Sequence, residues 1–175
     1  MSKTKKIALL GILVSQALIL HLVERLIPVP VPVPGIKLGL ANAISLITIV
    51  FFGPKEALIV VGMRTFLGSV FGGGISSFIY SFIGGTISTI AMAIMYKKFG
   101  TLFSLPAISV VGAVFHNIGQ ILVASFIIAN AKLFYYLPAL LISAVITGLF
   151  IGFAVQYTVK PMKHILGIGS ETNVE

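Results

Sequence analysis

Residues 56–71, from Glu56 to Phe71, read EALIVVGMRTFLGSVF, an apolar stretch with one cation, Arg64, set inside it. A charged side chain near the centre of a bilayer costs about 2.5–3.5 kcal/mol even on insertion scales, so it is kept off lipid and faces a protein interior, a partner or a pathway. The stretch therefore reads as a membrane segment whose Arg64 looks inward towards an anion. The rest of the chain agrees with a lipid-solvated protein. Of 175 residues, 58% are hydrophobic and only 9% charged, with a mean hydropathy of +1.13. That leaves too little polar surface to coat a soluble globule.

Outward from this stretch, six runs approach the roughly 20 apolar residues that a hydrocarbon core requires. They are Ile7–Leu26, Ile36–Phe52, Glu56–Phe71, Ile75–Tyr96, Leu105–Ala129 and Leu133–Val159. The second and third are short, and Gly53-Pro54 between them predicts a tight hairpin, with one kinked helix over 36–71 as the alternative. The first run, preceded by Lys3, Lys5 and Lys6, has signal-peptide character around Ser15 and Ala17, but its apolar residues continue past that pair, which favours an uncleaved helix.

Positive charge orients the helices. With a cytoplasmic N-terminus, Lys3, Lys5, Lys6, Lys55, Lys97, Lys98, Lys160 and Lys163 lie inside, against Arg25, Lys37 and Lys132 outside. The expected architecture is an all-α integral protein of the plasma membrane, with both termini cytoplasmic. Residues 1–163 form a single domain of six transmembrane helices, and 164–175 a polar cytoplasmic tail. The net charge of +8 punctuates apolar runs and makes no basic stripe with interleaved aromatics, so no nucleic-acid partner is expected. The absence of cysteine removes disulfides, thiolate metal sites and cysteine nucleophiles.

Several features stand out from the apolar background. Alternating prolines over 28–34 forbid helix and favour a stiff extended segment, either a rigid external linker or a cover over an outward-facing site. Gly68, Gly72, Gly73, Gly74, Gly84 and Gly85 allow close helix packing or free backbone amides for an anion. His116, Asn117 and Gln120, at helical spacings of three and four, gather polar groups at mid-membrane depth, as interhelical hydrogen bonds or as one wall of a polar chamber. Lys37, Asn42, Arg64 and Tyr80 would complete that chamber. Tyr135 and Tyr136 read more simply as interfacial residues. His21, His116 and His164 lie in different segments without carboxylate neighbours, so no metal site is expected. On the first helix, Ala8, Gly11 and Ser15 form a smooth strip that packs on a neighbouring helix or docks another membrane subunit.

Three motifs in order carry a family resemblance: Val33-Pro34-Gly35-Ile36-Lys37-Leu38-Gly39-Leu40-Ala41-Asn42, Arg64-Thr65-Phe66-Leu67-Gly68 leading into Gly72-Gly73-Gly74, and His116-Asn117-Ile118-Gly119-Gln120. They resemble the family called Gx transporter, or heptaprenyl diphosphate synthase component I, over about Lys5 to Lys163. That family is similar in turn to the S components of energy-coupling factor (ECF) transporters. The resemblance implies a six-helix bundle that takes a vitamin-like molecule from outside, partnered by a transmembrane coupling subunit and ATPases. The strip Ala8, Gly11, Ser15 resembles the docking face of the first helix in those proteins, without their pair of alanines four apart.

The two family names imply different functions. Prenyl chain elongation needs carboxylates that hold magnesium on a diphosphate. This chain has no aspartate, and its four acidic side chains are Glu24, Glu56, Glu171 and Glu175. Glu24 and Glu56 are expected at opposite membrane faces and the other two in the tail. No catalytic residue, metal or cofactor is therefore expected. The leading expectation is a substrate-binding subunit in which Lys37 and Arg64 hold an anion, Asn42, His116, Asn117 and Gln120 orient the ligand, and Tyr80 stacks on it. The alternative is a non-catalytic accessory subunit of heptaprenyl diphosphate synthesis.

Overall fold

A computed structural model describes residues 2–27, 37 and 39–166. The proline segment 28–34 and the tail beyond 166 lie outside the described residues, as do the side chains of 164–166. The described residues form six α-helices and no strand: α1 (Lys3–Val23), α2 (Asn42–Phe51), α3 (Pro54–Gly68), α4 (Gly74–Phe99), α5 (Leu105–Ile128) and α6 (Leu137–Leu166). Short 3-10 turns, Glu24–Leu26 and Ala131–Tyr136, follow α1 and precede α6.

Four stretches are long and apolar enough to cross a bilayer: Lys3–Leu26, Gly74–Phe99, Leu105–Ile128 and Ala131–Lys163. The two shorter helices are set apart by glycine and proline. Gly53 takes φ 101°, a left-handed value, and Pro54 opens α3 where its missing N–H costs nothing. The hairpin is thus the observed form, and the single kinked helix is not. The second helix is shorter than its apolar run. Lys37 lies outside any helix and Gly39 takes φ 90°, so α2 begins only at Asn42. Its ten residues span about 15 Å, half of a hydrocarbon core, and the fifteen of α3 about 22 Å.

Contacts at both ends align α1 with α3. At one end Lys6 Nζ pairs with Glu56 at 2.5 Å. At the other, Arg25 Nη1 donates to the Phe71 carbonyl at 3.1 Å and Nη2 to the Gly72 carbonyl, where the chain opens before α4. The two helices therefore run parallel, while α2 runs back from mid-depth to the Gly53 turn at the Lys6–Glu56 end. Glu24 lies eighteen residues beyond Lys6, about 27 Å along the helix.

The other three helices form a tight layer, with α5 between α4 and α6. Gly119 of α5 faces Gly84 of α4 so closely that a Cβ on Gly119 would stand 3.0 Å from the Gly84 Cα. Such approach is how helices associate where lipid removes the hydrophobic drive. Leu13, Ala17, Leu46, Val60, Met92, Ile108 and Val155 join all six helices in one apolar core. Tyr80, Ile121, Ala124, Leu133 and Leu140 form a second cluster. Phe126, Ile142 and Phe150 are exposed, as lipid-facing side chains are.

Candidate functional site

Between these two apolar clusters lies a patch of charge that water does not reach. Arg64 is only 1% exposed, and Lys37, Glu24, His21, Asn42, His116 and Gln120 are all buried with it. In a protein interior such groups persist only when charges are matched and hydrogen bonds made.

The cluster is assembled from five elements. From α3, Arg64 Nη2 donates to Asn42 Oδ1 at 3.1 Å, at the first residue of α2. Lys37 donates from its backbone N–H to Gln120 Oε1 of α5 at 3.1 Å. Its ammonium reaches His21 Nε2 at 2.7 Å and the His21 carbonyl at 3.4 Å. Glu24, just past α1, accepts from the Gly39 N–H and from the Leu40 N–H at 3.0 Å. The turn 39–41 is thus irregular backbone at membrane depth, tolerated because protein surrounds it and a carboxylate takes its free amides. Arg64 lies about 15 Å from the start of α3, and His21 about 22 Å beyond Lys6, so the cluster lies towards the Arg25 end of the α1–α3 pair, away from Lys6 and Glu56.

Glycines make the room. A Cβ on Gly85 would stand 3.0 Å from Arg64 Nη2, and one on Gly84 2.9 Å from both the Gln120 Cγ and the His116 carbonyl oxygen. The adjacent pair in α4 therefore admits α3 on one side and α5 on the other. A Cβ on Gly39 would meet the Asn42 amide at 2.7 Å and the His116 ring at 3.1 Å, and one on Gly68 would strike the His21 ring.

Most of the unpartnered nitrogens in the cluster are donors. Asn42 and Gln120 use their carbonyl oxygens on Arg64 and on the Lys37 N–H, which fixes their orientation and leaves the NH2 groups as donors. His21 accepts on Nε2 from the Lys37 ammonium, so its own proton sits on Nδ1. Among the described residues these three groups and Arg64 Nε have no partner, and neither has His116 Nδ1. Each such donor, buried without an acceptor, costs about 1–3 kcal/mol. Four together rival the stability of a whole domain. The set is made of donors, so what completes it is an acceptor.

The expected site residues divide in this geometry. Lys37, Asn42, Arg64, His116 and Gln120 come together. Asn117 turns to α6, where its Nδ2 donates to the Leu140 carbonyl at 2.9 Å, and Tyr80 packs among Ile121, Ala124, Leu133 and Leu140. His21 and Glu24 join the cluster although the sequence reading gave them no binding role. Their signal was faint: two polar residues three apart at the end of an apolar helix, next to Arg25, which read as the membrane surface. Lys37 belongs to the turn before α2, not to the helix itself. Among the described residues no group of three or more His, Asp and Glu could hold a metal ion.

Ala8, Gly11 and Ser15 are all exposed along α1, and a Cβ on Gly11 would meet nothing within 4 Å. The strip packs on no other helix of the chain.

A family model described as heptaprenyl diphosphate synthase component I matches residues 13–158. No curated protein and no solved structure matches the chain.

Proposed function

We propose that this chain, which belongs to the heptaprenyl diphosphate synthase component I family, is a membrane subunit that captures a small anionic molecule and passes it to a partner, without chemistry of its own. The observation that carries this reading is the buried set of donors around Arg64 and Lys37, which find no acceptor among the described residues. Arg64 would hold the ligand's anionic group, with the planar fork that suits carboxylates and phosphates. Asn42, Gln120 and His116 would orient it. Asn117 and Tyr80 would support the walls from behind.

Catalysis of prenyl transfer lacks its usual equipment here. The chain has no aspartate, and Glu24 and Glu56 stand at opposite ends of the α1–α3 pair, about 27 Å apart along the helix. Chain elongation needs carboxylates clustered on magnesium. Movement of a ligand would need an external power source, because the sequence carries no phosphate-binding Gly-x-x-x-x-Gly-Lys-Ser/Thr loop. A coupling subunit with ATPases, as in ECF transporters, would supply it, with capture from the outside and both termini cytoplasmic in the plasma membrane. The exposed strip Ala8, Gly11, Ser15 offers such a partner a surface on which backbones can approach closely.

The family's description favours a second reading, an accessory subunit that binds or positions a prenyl precursor for a companion synthase. Mild detergent purification of the tagged chain from its native membrane, with mass spectrometry of retained proteins and small molecules, separates the two. ATPases and a membrane coupling subunit are expected for capture and transport. Recovery of a soluble prenyl synthase without ATPases would replace that reading with the accessory one. In either case Arg64→Ala is expected to lose the retained small molecule while the chain still folds. Undiminished retention would remove Arg64 from the site.

A further inference from the structure

The charges inside the cluster limit what it can bind. Arginine does not deprotonate in proteins, and the Lys37 ammonium donates to the acceptor nitrogen of His21, so two positive charges are buried. Glu24 accepts from two backbone amides and brings one negative charge. Both imidazoles are counted neutral: His21 carries its single proton on Nδ1, and the His116 ring lies beside Asn42 and Gln120 in the same cluster. Arg25 is exposed and occupied with the Phe71 and Gly72 carbonyls. The segment 28–36 and Leu38 contain no ionisable side chain. The buried cluster therefore carries a residual charge of one positive unit.

The hydrogen bonds point the same way. Among the described residues Arg64 Nε, Asn42 Nδ2, Gln120 Nε2 and His21 Nδ1 are donor atoms without partners, and His116 Nδ1 is unpartnered beside them. An ionised carboxylate is acceptor-only and offers about four lone-pair sites on two oxygens.

We infer that this donor set takes the carboxylate of a monoanionic ligand, and that Glu24 is the residue that restricts the site to a single negative charge. The inference rests on the binding reading above and narrows its ligand to an organic acid, against a phosphate or diphosphate ester. A dianionic head would leave one negative charge unmatched in a water-free interior, a configuration that costs more than it returns unless Glu24 gives way. Glutamine at position 24 keeps an oxygen for the Gly39 and Leu40 amides and removes the charge.

The test uses the purified full chain in detergent and two probes with the same phenyl ring, benzoate and phenyl phosphate, titrated at millimolar concentrations at pH 7 by calorimetry and thermal shift. Wild type is expected to prefer benzoate by about tenfold or more, and Glu24→Gln to shift that ratio towards phenyl phosphate by about tenfold. Equal affinities in wild type, or a wild-type preference for phenyl phosphate, would overturn the inference, and this arm does not depend on the variant folding. So would a Glu24→Gln chain that folds but keeps the wild-type ratio. Binding of both probes by wild type, lost in Arg64→Ala but without selectivity, would refute the carboxylate assignment and leave the binding reading standing. No binding of either probe would remove both.

Discussion

Replacing Gly84 with alanine tests whether α4 and α5 meet as described. A methyl there would stand 2.9 Å from the Gln120 Cγ, 2.9 Å from the His116 carbonyl oxygen and 3.2 Å from His116 Nδ1. The Gln120 side chain can yield, but the carbonyl belongs to the backbone of α5, which is held from behind by α6. Overpacking of this kind costs about 1–3 kcal/mol. Against it, alanine gains about 1 kcal/mol over glycine in a helix interior. The net expectation is a loss of roughly 0–2 kcal/mol, together with displacement of two side chains of the polar cluster. Gly11 supplies the internal reference. It is also helical, but a methyl there meets nothing within 4 Å, so only the gain of about 1 kcal/mol should remain. Unfolding in mixed micelles, followed by circular dichroism, should place Gly84→Ala about 1–3 kcal/mol below Gly11→Ala. If the two variants are equally stable, the close approach of α4 and α5 is wrong, and the placement of Gln120 and His116 falls with it.

Three further outcomes are expected. Asn117→Leu should cost about 1 kcal/mol through the lost bond to the Leu140 carbonyl, yet leave ligand retention unchanged, whereas Gln120→Leu should abolish retention; the reverse pattern would exchange their roles. Exchanging Lys6 and Glu56 should restore whatever either single charge reversal loses, at most about 1 kcal/mol and diminished by salt, because the pair is partly exposed. Gly11→Leu should leave the isolated chain as stable as wild type but diminish co-purification of a membrane partner; full recovery of the partner would place its contact elsewhere.

Much of the helical layout was legible because its signals are local. Gly53-Pro54 marked the break between α2 and α3, and the apolar run from Leu105 the start of α5, where Ser104 caps the helix and Pro106 needs no N–H. Burial of Arg64 followed from the cost of the alternative. The late start of α2 was not legible, since Gly39 takes its left-handed conformation for the sake of contacts with Glu24, Asn42 and His116 that lie outside any local pattern. Facing was harder still. His116, Asn117 and Gln120 cover about 100° of a helix surface, enough for His116 and Gln120 to meet α4 while Asn117 meets α6. Glu24 was expected at a membrane face because it follows an apolar helix and precedes Arg25, and nothing local shows that it turns inward to the amides of Gly39 and Leu40.

The two tethers between α1 and α3 have a mechanical meaning. Held by Lys6–Glu56 at one end and by Arg25 on the Phe71 and Gly72 carbonyls at the other, the two helices behave as one plank. The plank carries His21, Glu24 and Arg64, whereas the amide of Gln120 and the ring of His116 ride on the α4–α6 layer. A tilt of this pair against the α4–α6 layer would therefore carry His21, Glu24 and Arg64 together relative to Gln120 and His116.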